Sequence, residues 1–218
     1  MPMGELWCGR RQGVVAAVAG ALASAGMSLC GTAGAFAESG PADPRLADAN
    51  GYEGRIRLTR FLDEPDGYCL DVPGPVTAPM LDFPMVAHTC HADPLGDQVF
   101  RFNMDGAGRM RWMHEGHDLC MTAASAEAGA SLPLAACTGE ARQSFQYTDR
   151  GEFQLKDSPL CIHVERTGPA LRDEPAEGQD RYGRGHPVNP QYTHLMRRLE
   201  LRECGAGDPA MSRWKAIE

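Results

Sequence analysis

The sequence predicts an all-β domain made of three copies of one unit, on the evidence of an internal repeat and of recurring short strands. The first copy has Cys69 and Asp71, then Cys90, and then a Gln-x-aromatic triplet that runs from Gln98 to Phe100. A repeat of this kind defines the architecture before any single strand is assigned. The three units are expected to cover about residues 54–104, 105–149 and 150–218.

The second copy keeps this skeleton, and the third keeps it in a stretched form. The second copy has Cys120, Cys137, Gln143 and Phe145. The third has Cys161, Cys204 and then Ser212, Arg213 and Trp214 in place of the triplet. We expect the aromatic residue of each triplet to fill the core. The Gln side chain should satisfy backbone groups of a neighbouring loop, because a buried amide needs hydrogen-bond partners.

Each unit also contains four short β-rich runs separated by Gly, Pro and Asp, which is the pattern of strands joined by turns. In the first unit these are 55–62, 68–72, 85–89 and 99–103. In the second they are 109–113, 119–122, 132–135 and 144–148. In the third they are 152–156, 160–165, 199–203 and 213–217. The pattern therefore predicts twelve strands and no helix of ordinary length.

Residues 1–37 have the pattern of an export signal rather than of a folded segment. Arg10 and Arg11 precede an apolar, alanine-rich run, and a small-x-small cleavage site follows at residues 35–37. The run is too short and too rich in Ala and Gly for a membrane span. We therefore expect cleavage near Ala37-Glu38 and a periplasmic or extracellular protein, with the general and twin-arginine export routes both open.

A lipid anchor at Cys30 is an alternative to simple cleavage, although the bulky Leu29 stands where that signal needs a small residue. Residues 38–53 are small and polar with two prolines, so they predict a linker.

After residue 37 the chain carries 19 basic and 28 acidic side chains, a net charge of −9. Nucleic acid is excluded as a partner, because its phosphates need a basic surface.

Six cysteines remain after the predicted signal, and an even number in an exported chain indicates a disulfide framework. Each unit has two cysteines, so the repeat selects one pairing. The predicted disulfides are Cys69–Cys90, Cys120–Cys137 and Cys161–Cys204. Unpaired thiols or a zinc site are the alternatives, but no pair has the close spacing that structural zinc sites favour.

The repeated Cys-x-Asp, Cys and Gln-x-aromatic pattern resembles the ricin B-type lectin family over about residues 54–218, closely in the first two units and weakly in the third. The resemblance implies a β-trefoil, a pseudo-threefold barrel capped by hairpins, with up to three shallow sugar sites. It implies no cofactor. A galactose- or GalNAc-type sugar is the expected partner.

In this family an acid after the first cysteine accepts hydrogen bonds from sugar hydroxyls, and an aromatic ring before the second cysteine stacks on the sugar. An Asn beside the triplet Gln completes the site. The matching positions in the first unit are Asp71, His88, Asp97 and Gln98. Asp97 departs from the family's Asn, because it lacks an N–H donor and adds a second carboxylate that could recruit a cation.

The other two units have lost these residues. The acid and ring positions are Thr122 and Ala135 in the second unit, and His163 and Arg202 in the third. The resemblance therefore implies one degenerate sugar site, in the first unit. Asp71 has a structural alternative, as a turn residue that bonds its own backbone. For Gln98 and Gln143 the structural role, in which the amide braces a neighbouring loop, is the favoured one.

The third unit contains an insertion at about residues 166–196 that is rich in Pro, Gly and charge. A loop of this length in a compact domain is usually either functional or disordered. Tyr182 and Tyr192 could contact a protein partner, because Tyr is frequent at interfaces. This gives an alternative function: a protein–protein or toxin-subunit-like module that has lost sugar binding.

Enzyme activity is not expected from this sequence. The residues 114–117 read His-Glu-Gly-His, one residue short of a zinc-protease motif, and fall in a predicted turn. No phosphate-binding loop, dinucleotide fingerprint or nucleophile elbow is present, and no pair of acids has the setting needed for glycoside hydrolysis. The sequence thus predicts an exported, non-catalytic carbohydrate-binding module.

Overall fold

The structure is a computed structural model that describes residues 42–93, 96–165, 171–172 and 195–218. All of these belong to one compact unit, Ala37–Glu218. The predicted export signal and most of the predicted insertion lie outside the described residues.

The described residues form thirteen strands and three short 3-10 helices, with no α-helix among them. The strands of the first unit are β1 (Tyr52–Leu58), β2 (Tyr68–Asp71), β3 (Val86–Thr89) and β4 (Phe100–Phe102). Those of the second are β5 (Met110–His114), β6 (His117–Met121), β7 (Leu134–Ala136) and β8 (Phe145–Tyr147). Those of the third are β9 (Phe153–Leu155), β10 (Leu160–Val164), β11 (Leu171–Arg172), β12 (Leu195–Glu203) and β13 (Trp214–Ile217).

Six strands form a closed barrel in the order β1, β4, β5, β8, β9, β13. Four of the six pairs of neighbouring strands in this ring are joined by antiparallel ladders. The other two are made by single backbone bonds, from Phe145 N–H to the Gly108 carbonyl and from Trp214 N–H to the Gly151 carbonyl, each 2.8 Å long. Each unit adds one hairpin outside this ring, made by β2–β3, β6–β7 or β10–β12. The all-β, three-unit prediction is confirmed.

The aromatic residue of each triplet position lies in the core, as predicted. Phe100, Phe145 and Trp214 are all buried in the same apolar cluster, together with Trp112 and Phe153. A 3-10 helix precedes each of these aromatic residues, at Gly96–Gln98, Ala141–Gln143 and Pro209–Met211. In each unit the aromatic residue is the first residue of the last strand, β4, β8 or β13, and its side chain lies in the core of the barrel.

All three predicted disulfides are present: Cys69–Cys90, Cys120–Cys137 and Cys161–Cys204. Their Cα–Cα distances are 5.0, 5.1 and 4.9 Å. These values fall in the usual range for disulfides. In each unit the bridge joins a cysteine within the first hairpin strand to the cysteine that directly follows the second.

The described part of the predicted linker, residues 42–53, packs on the barrel instead of being separate from it. Leu46 is buried in the core, and the Asp43 carboxylate accepts a 3.0 Å bond from the Ala216 N–H of β13. Strand β1 also begins at Tyr52, earlier than predicted. The composition of this segment is polar, but one leucine and one acceptor suffice to fix it against an exposed strand.

Strand β12 also begins earlier than predicted, at Leu195 instead of residue 199. Its first residues pair on one side with β11, inside the predicted insertion, and on the other side with β3 of the first unit. Arg197 and Arg198 obscured this extension in the sequence, because strand pairing uses backbone groups and tolerates polar side chains at an edge. The third unit therefore reaches the hairpin of the first.

Candidate functional site

The register of the first hairpin places Asp71 and His88 on one face of the sheet. Cys69 lies opposite His88, and Asp71 lies opposite Val86, so Asp71 and His88 are diagonal neighbours. Long side chains reach across such a diagonal in antiparallel sheets. Accordingly, His88 Nδ1 lies 3.4 Å from Asp71 Oδ2. The predicted acid and ring of the first unit are brought together.

Gln98 acts as a brace at the base of this pair. Its amide nitrogen donates to Asp71 Oδ2 at 2.7 Å and to the Thr89 carbonyl at 2.9 Å. Its amide oxygen accepts a 3.0 Å bond from the His91 backbone N–H. The side chain is fully buried, so all of its polar atoms face protein groups. This supports the structural role that the sequence favours for the Gln of the triplet.

Asp97 lies beside Gln98 in the 3-10 helix and is also buried. Its Oδ2 is 4.0 Å from His91 Nε2, and its Oδ1 makes no hydrogen bond within the part of the chain that the structure describes. Burial, and then the negative charge of Asp71, raises the pKa of Asp97 to about 7. Two carboxyl groups thus share one poorly solvated site.

His91 belongs to the cluster but was missed in the sequence. It follows Cys90 directly, and its ring centroid is 5.4 Å from that of His88. Its side chain is 18 % exposed, so it is the most exposed member of the group. The His-x-x-His spacing of His88 and His91 was the signal that could have found it.

The predicted site residues are enclosed, whereas the resemblance implied a shallow open site. Asp71, His88, Asp97 and Gln98 are 4 %, 5 %, 5 % and 0 % exposed. The early start of β12 places its Met196 opposite His88 and on the same face of the sheet. Strand β3 therefore lies between β2 and β12, and Met196 of β12 is the neighbour of His88 on that side.

The second unit preserves the brace without the acid. The amide nitrogen of Gln143 donates to Thr122 Oγ1 at 3.0 Å and to the Ala136 carbonyl at 2.8 Å. Its amide oxygen accepts a 2.8 Å hydrogen bond from the Thr138 N–H. Thr122 takes the place of Asp71, and its hydroxyl donates onward to the Cys120 carbonyl. Ala135 offers no ring.

In the third unit a carboxylate from the start of the unit, that of Glu152, takes the role of the missing Gln. Glu152 Oε1 accepts 3.0 Å bonds from the Gly205 N–H and from the Ser212 hydroxyl. Arg150 pairs with its other oxygen at 2.9 Å. His163, at the acid position, is buried, and this burial lowers its pKa. The unit lacks an acid–ring pair.

Comparison with solved structures found several that are similar to this chain. The chain is 13 % identical to the agglutinin from Abrus precatorius, with a TM-score of 0.50, covering 78 % of this chain and 48 % of that one. For the hemolytic lectin CEL-III the values are 17 % identity, TM-score 0.48, and coverage of 83 % and 32 %. For the β-trefoil lectin of the Vibrio vulnificus hemolysin/cytolysin, bound to N-acetyl-D-lactosamine, they are 15 %, 0.43, and 77 % and 94 %.

This chain thus spans about half of the agglutinin and about a third of CEL-III. A search of curated proteins found no match. The agglutinin likeness supports the fold: a disulfide-bonded β-trefoil of three units.

A family model described as the ricin-type β-trefoil lectin domain matches residues 58–179, more than half of the chain. The chain belongs to this family. Carbohydrate binding is the function of the family as a class, and its domains are generally not enzymes. No helix among the described residues is long and apolar enough to cross a membrane.

Proposed function

We propose that this protein is a secreted carbohydrate-binding module whose single sugar site lies in the first unit. The observation that supports it is the contact between Asp71 and His88, 3.4 Å apart at the two positions that hold sugar in the family. The second and third units have no such pair. Asp71 supplies the charged acceptor, and an ionised acceptor makes the stronger hydrogen bonds to hydroxyl groups.

The enclosure of the site determines how tightly it binds. A sugar can stack on His88 only if the first residues of β12, next to Met196, move away from β3. The free energy of that opening is subtracted from the binding free energy. A single site of this kind is expected to bind in the millimolar to high micromolar range, with a galactose- or GalNAc-type sugar as the first ligand to test.

A second candidate function is a protein–protein module that has lost sugar binding. Its supporting observation is the same enclosure, because Asp71, His88, Asp97 and Gln98 have almost no exposed surface. In this case the insertion at about residues 166–196 would contact the partner. The two functions differ in whether any glycan is bound.

A glycan array of the disulfide-bonded protein distinguishes the two functions. Asp71→Asn keeps an oxygen for the bond from Gln98 but removes the charge, and Thr122→Ala changes the matching position of the second unit. We expect signal on galactose-type glycans that Asp71→Asn abolishes, Thr122→Ala retains and Met196→Ala increases. A blank array from the folded protein and from Met196→Ala would exclude the sugar site.

A further inference from the structure

The buried cluster of the first unit has the composition of a metal site. Asp71, His88 and His91 each offer one ligand atom, and these atoms lie within 4.8 Å of one another. We propose that the three side chains bind one divalent transition-metal ion of the zinc class. This inference does not rest on carbohydrate binding, because it requires only that the three side chains converge.

The distances need little change to accept such an ion. With bonds of about 2.0–2.2 Å to nitrogen and oxygen, the ligands of tetrahedral zinc lie about 3.3–3.5 Å apart. His88 Nδ1 and Asp71 Oδ2 are already 3.4 Å apart. His91 must approach by rotation of its side chain. At 18 % exposed, its side chain is the most exposed of the three and gives the cluster its opening to solvent.

The surroundings of the cluster also suit a cation. Gln98 donates to Asp71 Oδ2 at 2.7 Å, and a hydrogen bond of this kind orients a metal-ligating carboxylate. Asp97 Oδ2 lies 4.0 Å from His91 Nε2, and the buried Asp97 Oδ1 makes no hydrogen bond among the described residues. A second acid so close to the first offers a possible fourth ligand.

The ligand types select the metal. Imidazole nitrogen suits zinc, nickel and copper, whereas magnesium and calcium prefer ligand sets made entirely of oxygen. The equivalent positions of the other units offer no second set, since Thr122 and Thr138 replace Asp71 and His91 in the second unit. The expected stoichiometry is one ion per chain.

The surface pair His114 and His117 is the competing zinc-binding feature. The two flank the hairpin turn between β5 and β6, and His117 is exposed and stacks on Trp112 with a centroid distance of 5.7 Å. A variant of this pair therefore controls for adventitious binding by exposed histidines.

The test is a titration of untagged, EDTA-treated protein from an oxidising compartment with ZnCl2, followed by calorimetry. We expect one bound ion per chain. His91→Ala and Asp71→Asn should each weaken binding about tenfold or more. His117→Ala should bind like the wild type. With CoCl2, the wild type should show the visible absorption of four-coordinate cobalt, and His91→Ala should lose it.

Three results would overturn the proposal. One is no uptake of zinc by the folded, disulfide-bonded wild type. Another is unchanged zinc affinity in His91→Ala. The third is loss of binding in His117→Ala, which would move the ion to the surface hairpin. If His91→Ala fails to fold, Asp71→Asn gives the same comparison, because it keeps an oxygen for the bond from Gln98.

Discussion

At the scale of single residues, one structural position carries three different side chains in the three units. The residue two after the first cysteine is Asp71, Thr122 or His163. Asp71 and Thr122 are hydrogen-bonded to the brace of their unit. His163 is buried, and its Nε2 makes no hydrogen bond among the described residues. The imidazole is therefore kept neutral by burial.

His163 makes the stability of the fold depend on pH. Burial lowers its pKa below 6.5, the ordinary value for the unfolded chain. The unfolded chain thus takes up a proton as the pH falls through 6.5, while the folded protein does not. This contribution to stability is present above that pH and is lost below it. In urea unfolding at pH 7, 6 and 5, His163→Gln should lose less stability on acidification than the wild type.

The exposed His117 provides the control, and His117→Gln should follow the wild type. If His163→Gln and the wild type lose the same free energy of unfolding between pH 7 and pH 5, His163 is not the acid-sensitive group.

At the scale of elements, each hairpin is held by one buried side chain, here called the brace. The side-chain oxygen of the brace accepts a hydrogen bond from the backbone N–H of the residue that follows the second cysteine. The N–H groups of His91, Thr138 and Gly205 donate to Gln98, Gln143 and Glu152, at 3.0, 2.8 and 3.0 Å. The brace is conserved in geometry across the units, although the third unit uses a carboxylate from before β9. Each hairpin is thereby fixed on the barrel.

Removing a brace should destabilise the fold by about 2–3 kcal/mol, because it leaves buried donors without a partner. We expect this loss for both Gln143→Ala and Glu152→Ala in urea unfolding. Glu152→Gln should cost less than about 1 kcal/mol, since an amide oxygen still accepts the bonds from Gly205 and Ser212. Gln146→Ala, at an exposed site, is the control. A Glu152→Ala protein as stable as this control would contradict the assignment.

The sequence predicted twelve of the thirteen described strands and all three disulfides, because these recur locally in each unit. It missed His91 and the Glu152 brace. The partner atoms of Glu152 lie 53 and 60 residues further along the chain, so no local pattern reveals them. It also missed the enclosure of the site and the pairing between β12 and β3, which belong to different units. Contacts between units are set by the tertiary fold and leave no periodic signal.

At the scale of the whole molecule, the three disulfides differ in what they restrain. Cys161–Cys204 spans 43 residues, against 21 for Cys69–Cys90 and 17 for Cys120–Cys137. Its hairpin strand β12 also pairs with β3, so this bridge helps to hold the third unit against the first-unit cluster. The link between units passes through this hairpin.

Removal of Cys161–Cys204 should therefore destabilise the protein most. The loop-entropy model gives about 4 kcal/mol for this bridge and about 3 kcal/mol for Cys120–Cys137. Double Cys→Ala variants compared by urea unfolding measure the difference. A larger loss for the Cys120–Cys137 variant would show that the pairing of β12 with β3 adds little to stability.

The most direct test of the proposed carbohydrate site is an NMR titration of the 15N-labelled, disulfide-bonded protein with lactose, using maltose as the control sugar. If the first unit binds galactose-type sugar, saturable shifts should be concentrated at Val72, His88 and His91, and Asp71→Asn should remove them. The amides around Thr122 and His163 should not move. An absence of shifts at millimolar lactose, or shifts confined to the other two units, would contradict a first-unit sugar site.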